Sequence, residues 1–169
     1  MRKILSAAVA GAALLAAGQA SANTATTTFA VTATVLKACS VNATAIAFGN
    51  YTPGGGAINV NTSAVNVNCT KNTTYTVALN GGSTTGGTVA QRLMGNGANT
   101  LQYNIYTAAT DTTVFGDGSG TSATGAGTGA GMSAAATAFT MYANLPDNPT
   151  NQNAAPGAYT DTVTVTVTY

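Results

Sequence analysis

The amino-acid sequence predicts an all-β fold of the sandwich or barrel type. Residues 161–169 alternate strictly between apolar and hydroxyl side chains after the opening Asp161, and residues 29–35 show a second alternation. Short apolar runs along the chain are separated by Gly, Asn and Pro, and no segment has a helical period of useful length. Thr favours strands, whereas Asn and Gly favour turns. The bulk composition therefore indicates strands joined by tight turns.

The first residues have the features of a secretory signal peptide. Arg2 and Lys3 precede an apolar stretch over residues 4–18, and Ala20-Ser-Ala22 fits the small-x-small pattern of a signal-peptidase site. The apolar stretch is shorter than the roughly 20 residues that a membrane-spanning helix needs, which argues against an anchor. Residues 1–22 are predicted to be removed on export, leaving one domain with a core of its own.

The predicted strands follow one another through the mature chain. They cover residues 27–41, 45–51, 57–71, 75–79, 89–94, 101–108, 139–145 and 159–169. Pro53-Gly-Gly-Gly56 forces a turn after the second strand, and Asn80-Gly-Gly82 marks a turn after the fourth. Residues 116–136 are mostly Gly, Ser, Thr and Ala with little to bury, which predicts a long mobile loop.

The mature chain has few groups for catalysis or for binding charged partners. Its basic residues are Lys37, Lys71 and Arg92, its acidic residues are all Asp, and it has no His or Glu. Such a surface offers nothing to nucleic acid, and the usual Ser-His or Cys-His arrangements cannot be assembled. Asp147 and Asp161 lie near loop ends, where a solvated Asp is commoner than half of a catalytic dyad. We therefore expect binding or assembly, with no enzymatic activity and no small-molecule substrate.

A cofactor is not expected either. The Gly-rich residues 125–130 match a dinucleotide fingerprint by letter, but no capped amphipathic helix follows them, and the fingerprint works only between a strand and a helix.

Two cysteines, Cys39 and Cys69, remain in the exported chain. An even number of cysteines in an oxidising compartment predicts a disulfide, and only one pairing can form here. A metal site is the competing interpretation, but scattered Asp residues would have to complete its ligands. We expect a Cys39–Cys69 disulfide and no metal.

The alternating segments at the two ends indicate how the protein assembles. Natural edge strands are blunted by charge or proline, and neither occurs inside residues 29–35 or 162–169. If the fold lacks one strand, an extended segment of another molecule can fill the gap, as in donor-strand complementation of pilins. Repeated head to tail, this exchange builds a fibre. The alternative is that residues 29–35 pair within their own domain, in a secreted monomeric coat or glycan-binding sandwich.

Several short motifs occur in a fixed order along the mature chain. They are Phe29-x-Val31-x-Ala33-x-Val35 leading to Cys39, Phe48-Gly49-x-Tyr51, Val65-x-Val67-x-Cys69, Tyr75-x-Val77-x-Leu79 with Asn80-Gly-Gly82, Arg92-Leu-Met94, Leu101-x-Tyr103-x-Ile105-Tyr106, and Gly157-x-Tyr159-x-Asp161-Thr-Val163-x-Val165-x-Val167-x-Tyr169. In this order they resemble the spore coat protein U type domain, the subunit family of archaic chaperone-usher pili.

The resemblance implies an incomplete immunoglobulin-like β-sandwich of the pilin type, completed by donor-strand exchange. Residues 23–37 would be an N-terminal donor-strand extension, and residues 38–169 the pilin-like domain. The donor residues would be Phe29, Val31, Ala33 and Val35. The acceptor edge, which a chaperone also engages, would consist of Val163, Val165, Val167 and Tyr169.

The same resemblance implies partners and a location. Cys39 and Cys69 would pin the first strand to the sheet. The partners would be identical or homologous pilus subunits, a periplasmic chaperone and an outer-membrane usher. The protein would be exported to the periplasm and then displayed in a surface pilus that serves adhesion and biofilm formation.

Overall fold

The computed structural model describes residues 22–110 and 112–169. The predicted signal peptide lies outside the described residues except for Ala22. The described residues fall into two units, separated between Thr34 and Val35. In the first unit, residues 22–34 form neither helix nor strand, and Phe29 and Val31 are 85% and 84% exposed. The second unit, residues 35–169, contains the sheets.

The described residues of the second unit form eight strands and one short helix. They are β1 (Cys39–Ala43), β2 (Ile58–Cys69), β3 (Thr74–Leu79), β4 (Arg92–Asn96), β5 (Asn99–Tyr106), β6 (Gly125–Thr128), β7 (Thr137–Leu145), α1 (Pro149–Gln152) and β8 (Val165–Thr168). A five-stranded sheet has the order β1-β2-β7-β5-β4, and a three-stranded sheet has the order β6-β3-β8. All the strand pairs are antiparallel.

The core lies between the inward faces of these sheets. Alternating residues of β2 and β3 supply its centre, because in an antiparallel sheet every second side chain points to the same face. The buried apolar residues include Val65 and Val67 of β2, Val77 and Leu79 of β3, Ile105 of β5, and Leu145 of β7. The predicted strands at residues 57–71, 75–79, 101–108 and 139–145 are confirmed in position, with ends that differ by a few residues.

Arg92 is the largest fully buried side chain among the described residues and connects three parts of the core. Its guanidinium donates to the carbonyl oxygens of Asn80 and Phe115, each at 2.9 Å, and to Oδ1 of Asn104 at 2.6 Å. Burial lowers the pKa of Arg92, while the nearby Tyr103 and Asp161 oppose that shift. A charge at this depth is tolerated because these oxygens replace its hydration.

Several sequence predictions about local structure are wrong. The predicted strands at residues 27–41 and 159–169 are strand only over residues 39–41 and 165–168. Residues 45–51 do not form a strand. Ile46 and Phe48 pack against the core, as the alternation indicates, but within the described part of the chain no strand is hydrogen-bonded beside them. A buried face alone does not make a strand, which also needs a ladder partner.

The prediction of a long mobile loop at residues 116–136 is also wrong, since this Gly-rich segment contains β6. Glycine is needed there because a Cβ on Gly125 would lie 2.7 Å from the Phe139 ring, and one on Gly127 would lie 2.5 Å from the Tyr75 hydroxyl. The bare backbone allows β6 to approach these rings and pair with β3.

Candidate binding groove

The two strands β1 and β8 are edges of different sheets, and their inward faces are incompletely covered. Val41 of β1 is paired with Val67 of β2, so both side chains point to the same face. Val67 is 1% exposed, whereas Val41 is 46% exposed. The core is therefore filled under β2 and open under β1.

The β8 edge shows the same contrast. Val165 is paired with Leu79, and Val167 with Val77. Both β3 residues are fully buried, whereas both β8 residues are only half-buried. Among the described residues no ladder joins β1 to β8. β1 and β8 approach one another without pairing, so each keeps a free strand edge at the seam between them.

A groove extends from this seam. One section, of about 430 Å³, lies between residues 43–48 on one side and residues 159–165 on the other, with Tyr103, Ile105 and Met141 among its lining residues. A second section, of about 800 Å³, adjoins it and is lined by residues 46–51 and 154–159. The two sections share Ile46, Phe48, Met94 and Tyr159. A groove beside a free strand edge has the features that bind an extended peptide segment.

Asp161 lies just before β8 and fixes the groove wall on the β8 side, which residues 159–165 form. Its Oδ1 accepts hydrogen bonds from the backbone N–H groups of Ser83 and Thr84 at 2.8 and 3.0 Å, and from their hydroxyls at 3.1 and 3.0 Å. Its Oδ2 accepts from the Tyr103 hydroxyl at 2.7 Å. Burial alone would raise the pKa of Asp161, but these hydrogen bonds outweigh it and leave the pKa below its ordinary value.

Asp147 fixes one part of the opposite groove wall, the turn at residues 51–56. Its carboxylate accepts hydrogen bonds from the Tyr51 hydroxyl at 2.6 Å, Gly56 N at 2.8 Å and Gly54 N at 3.1 Å. The bond from Tyr51, followed by those from the two amides, lowers the pKa of Asp147 to about 2. Burial and the adjacent carboxylate raise the pKa of Tyr51 to about 12.

The predicted disulfide is confirmed and anchors β1. Cys39 and Cys69 are bonded, and they are directly opposite one another in the β1–β2 ladder. Because β1 is an edge strand with one ladder of five residue pairs, the covalent bond fixes one border of the groove.

The sequence-predicted site residues are placed as follows. Val163, Val165 and Val167 are half-buried along the β8 side, while Tyr169 is 54% exposed at the chain end. Val35 is 87% exposed in the second unit; Phe29 and Val31 are exposed in the first, as is Ala33. Their donor and acceptor roles remain predictions.

Sequence reasoning interprets Asp147 and Asp161 as solvated turn residues and misses the hydrogen bonds that each carboxylate accepts. The available signal was that Asp161 directly precedes the alternating segment, in a chain with very few acidic residues.

Two further properties concern the described residues alone. They contain no group of three or more His, Cys, Asp or Glu residues placed to hold a metal ion. None of their helices is long and apolar enough to cross a membrane.

These features define an all-β, immunoglobulin-like sandwich of the pilin type with an open groove between two edge strands. The chain belongs to the Spore Coat Protein U domain family, which matches residues 25–166. Both the predicted fold class and the predicted family are thereby confirmed. No curated protein sequence matches the chain.

A solved structure has a similar fold. It is a chain in the crystal structure of the CsuC-CsuE chaperone-tip adhesion subunit pre-assembly complex from the archaic chaperone-usher Csu pili of Acinetobacter baumannii. The TM-score is 0.51 at 22% sequence identity, with 80% of the present chain covered. The match spans 40% of the length of that chain.

Proposed function

We propose that this protein is a structural subunit of a chaperone-usher pilus and that it polymerises by donor-strand complementation. The observation that carries the proposal is the seam between β1 and β8, where Val41, Val165 and Val167 face the interior without full cover. A strand inserted there would complete the sandwich and pair with a free edge. Family membership and the likeness to a chain from a chaperone-usher pilus complex support the same function.

The proposed donor is the N-terminal segment of a second subunit. Phe29, Val31, Ala33 and Val35 are alternate residues, so in an extended segment they present one apolar face. Their side chains are exposed, and the interior of residues 29–35 carries neither charge nor proline. Such a segment supplies main-chain hydrogen bonds to the acceptor edge and apolar side chains to the groove.

The assembly pathway follows from the exposed groove. A subunit with an open core would aggregate during export unless another strand covered it, so a periplasmic chaperone occupies the groove first. An outer-membrane usher then exchanges the chaperone for the donor segment of the next subunit. The product is a cell-surface pilus that serves adhesion and biofilm formation, and this role requires no catalysis, cofactor or nucleic acid.

The proposal is tested by paired substitutions on opposite faces of the two segments. Val31→Asp and Val165→Asp place a charge on the faces directed into the groove, while Thr32→Asp and Thr166→Asp place the same charge on the opposite faces. Each variant is expressed with the chaperone and usher genes, and unheated, non-reducing gels report oligomer ladders. We expect ladders from the two Thr variants and the parent, and none from the two Val variants.

Two results would contradict the proposal. One is a parent protein that stays monomeric in the presence of chaperone and usher, which would favour the secreted monomeric sandwich. The other is that all four variants form equal ladders. A charge in the groove should prevent a donor strand from binding, so polymers that form despite it are not held together by donor strands. Circular dichroism and an intact disulfide establish that each variant is folded.

A further inference from the structure

We propose that Asp161 is a positioning residue that sets the β8 wall of the groove before a donor strand arrives. The inference rests on the proposed function and deepens it, because it identifies the side chain that prepares the site for its partner. Asp161 does not need to touch the donor. It acts through the 83–84 turn and through Tyr103.

The first observation is that five hydrogen bonds converge on one carboxylate. Four come from the backbone and hydroxyl groups of Ser83 and Thr84, and the fifth comes from Tyr103. An ionised carboxylate accepts hydrogen bonds only, so it suits a site where every neighbouring group is a donor. Gly82 completes the arrangement, because a Cβ at this position, where φ is +90°, would overlap the Asp161 carboxylate.

The second observation is that the backbone around Asp161 is fixed on both sides. Before it, Thr160 exchanges two backbone hydrogen bonds with Gly95 of β4, at 2.8 and 3.1 Å. After it, Thr164 donates to Oδ1 of Asn80 at 2.8 Å and accepts from Asn80 N at 3.1 Å. Asp161 lies between these attachment points, and residues 159–163 line the groove. This wall is therefore ordered by contacts with its own domain.

The third observation connects Asp161 to the floor and the far wall of the groove. The Tyr103 ring is buried and meets Phe48 edge-to-face, with ring centroids 5.9 Å apart. Both rings line the groove, and Phe48 belongs to the wall opposite Asp161. Because the Tyr103 hydroxyl is bound to Oδ2 of Asp161, the carboxylate orients the ring against which Phe48 packs.

A wall that is ordered in advance lowers the free-energy cost of binding, since fewer groups lose conformational freedom when the donor enters. Replacing Asp161 by Asn keeps the size of the side chain but removes its charge and turns one acceptor into a donor. The turn at residues 83–84 and the Tyr103 ring then lose their shared attachment. The turn and the ring then become ordered only when the donor strand binds. Because this ordering costs free energy, the affinity for the donor strand falls.

The test measures binding of a labelled synthetic peptide of residues 24–36 to the mature chain. Every protein carries Val31→Asp, so that its own N-terminal segment is disabled as a donor. We expect Asp161→Asn to weaken binding about tenfold, which corresponds to the loss of one hydrogen bond to a charged group. Asp117→Asn is the matched control, because Asp117 has a lowered pKa from hydrogen bonds within its own exposed turn and lies outside the groove.

Tyr103→Phe separates positioning from a general loss of stability. It removes only the hydroxyl and should weaken binding by a few fold. In the double variant with Asp161→Asn the two effects should be less than additive, since both remove the same contact. Affinities are measured well below the melting temperature of each variant, where a purely structural role would leave them unchanged.

The outcomes distinguish this inference from the proposed function. If the Val31→Asp parent binds the peptide and Asp161→Asn binds it equally well, the positioning role is overturned and the pilus function stands. If the parent binds the peptide no better than a scrambled peptide, both fall. If Asp161→Asn does not fold, Tyr103→Phe decides: weaker binding supports the role, and unchanged binding overturns it.

Discussion

Val67 and Val41 show how the filled and open regions of this sandwich differ. They are the same residue type, lie opposite one another in neighbouring strands and point to the same face. Val67 is 1% exposed and Val41 is 46% exposed. The alternation of the sequence is alike in the two strands, so the difference arises from what covers them. β2 lies inside the five-stranded sheet, whereas β1 borders the groove.

The filled and open regions are also held together differently. The filled region is stabilised by apolar packing around a buried guanidinium. The open region has less packing and relies on discrete attachments, which are the Cys39–Cys69 disulfide on β1 and the carboxylates of Asp161 and Asp147 on the two walls. A binding groove needs walls that keep their shape without an occupant, and such attachments provide it.

The largest effect is expected in the filled region, from Arg92→Ala. This change removes the guanidinium donor from the oxygens of Asn80, Asn104 and Phe115 and opens a cavity, so we expect a loss of about 4 kcal/mol in the free energy of unfolding. Lys71→Ala removes an exposed cation and should cost about 0.5 kcal/mol or less. Urea unfolding of monomeric protein measures both. Similar small losses in the two variants would show that Arg92 does not hold the core.

The next effect concerns the β1 border of the groove. Replacing Cys39 and Cys69 together by Ser should lower the free energy of unfolding by about 2–4 kcal/mol, the usual range for a disulfide. Peptide binding should weaken as well, because β1 keeps only its ladder with β2. Reducing agent should reproduce the effect in the parent and leave the double variant unchanged. An unaltered urea midpoint after complete reduction would mean that the ladder alone holds β1.

The sequence predicted the parts of the fold in which local pattern and packing agree. The alternation in β2, β3, β5 and β7 located strands whose inward residues are buried, and two cysteines allowed one disulfide. Residues 45–51 have the alternation but no ladder partner among residues 22–110 and 112–169, whereas β6 has a partner but a Gly-rich sequence. A strand depends on what lies beside it in space, which single-chain periodicity does not contain.

For the same reason, the sequence predicts the apolar residues of the candidate site but not its two carboxylates. The apolar residues of β8 follow from periodicity, and their half-buried state agrees with an edge position. The roles of Asp147 and Asp161 depend on partners far along the chain, such as Tyr51 and Tyr103. The one-turn helix α1 is also not predicted, although Asn148 at its N-cap and Pro149 at its first position are local helix-start signals. Its buried Asn151 is held by the backbone of Gln102 in β5. Contacts of this kind leave no repeat in the sequence.

A smaller effect compares Val67 and Val41 directly. Val67→Ala should cost about 2 kcal/mol in the monomer, because it creates a cavity in a filled core. Val41→Ala should cost about 0.5 kcal/mol or less, since its side chain is already in contact with solvent. With the peptide of residues 24–36 bound, the cost of Val41→Ala should rise toward that of Val67→Ala. Equal costs in the free monomer would show that the seam is already closed.

The smallest effect is an acid sensitivity of the open region, traced to Asp147. The fold lowers the pKa of this carboxyl from 3.8 to about 2, so the folded state favours its ionised form. The stabilisation is complete above about pH 4 and is lost as the pH falls toward 2, because protonation weakens the bonds from Tyr51, Gly54 and Gly56. The wall at residues 51–56 should loosen over that interval.

Melting temperatures between pH 5 and pH 2 measure this effect in the parent and in Asp147→Asn, both as monomers. Asp161 and Asp117 also have lowered pKa values, but they titrate in both proteins, so the difference between the two curves isolates Asp147. We expect the variant to begin lower at pH 5 and to decline less steeply, so that the curves converge in acid. Parallel curves would show that the Tyr51–Asp147 contact adds no stability, and that the wall is held by packing as the filled region is.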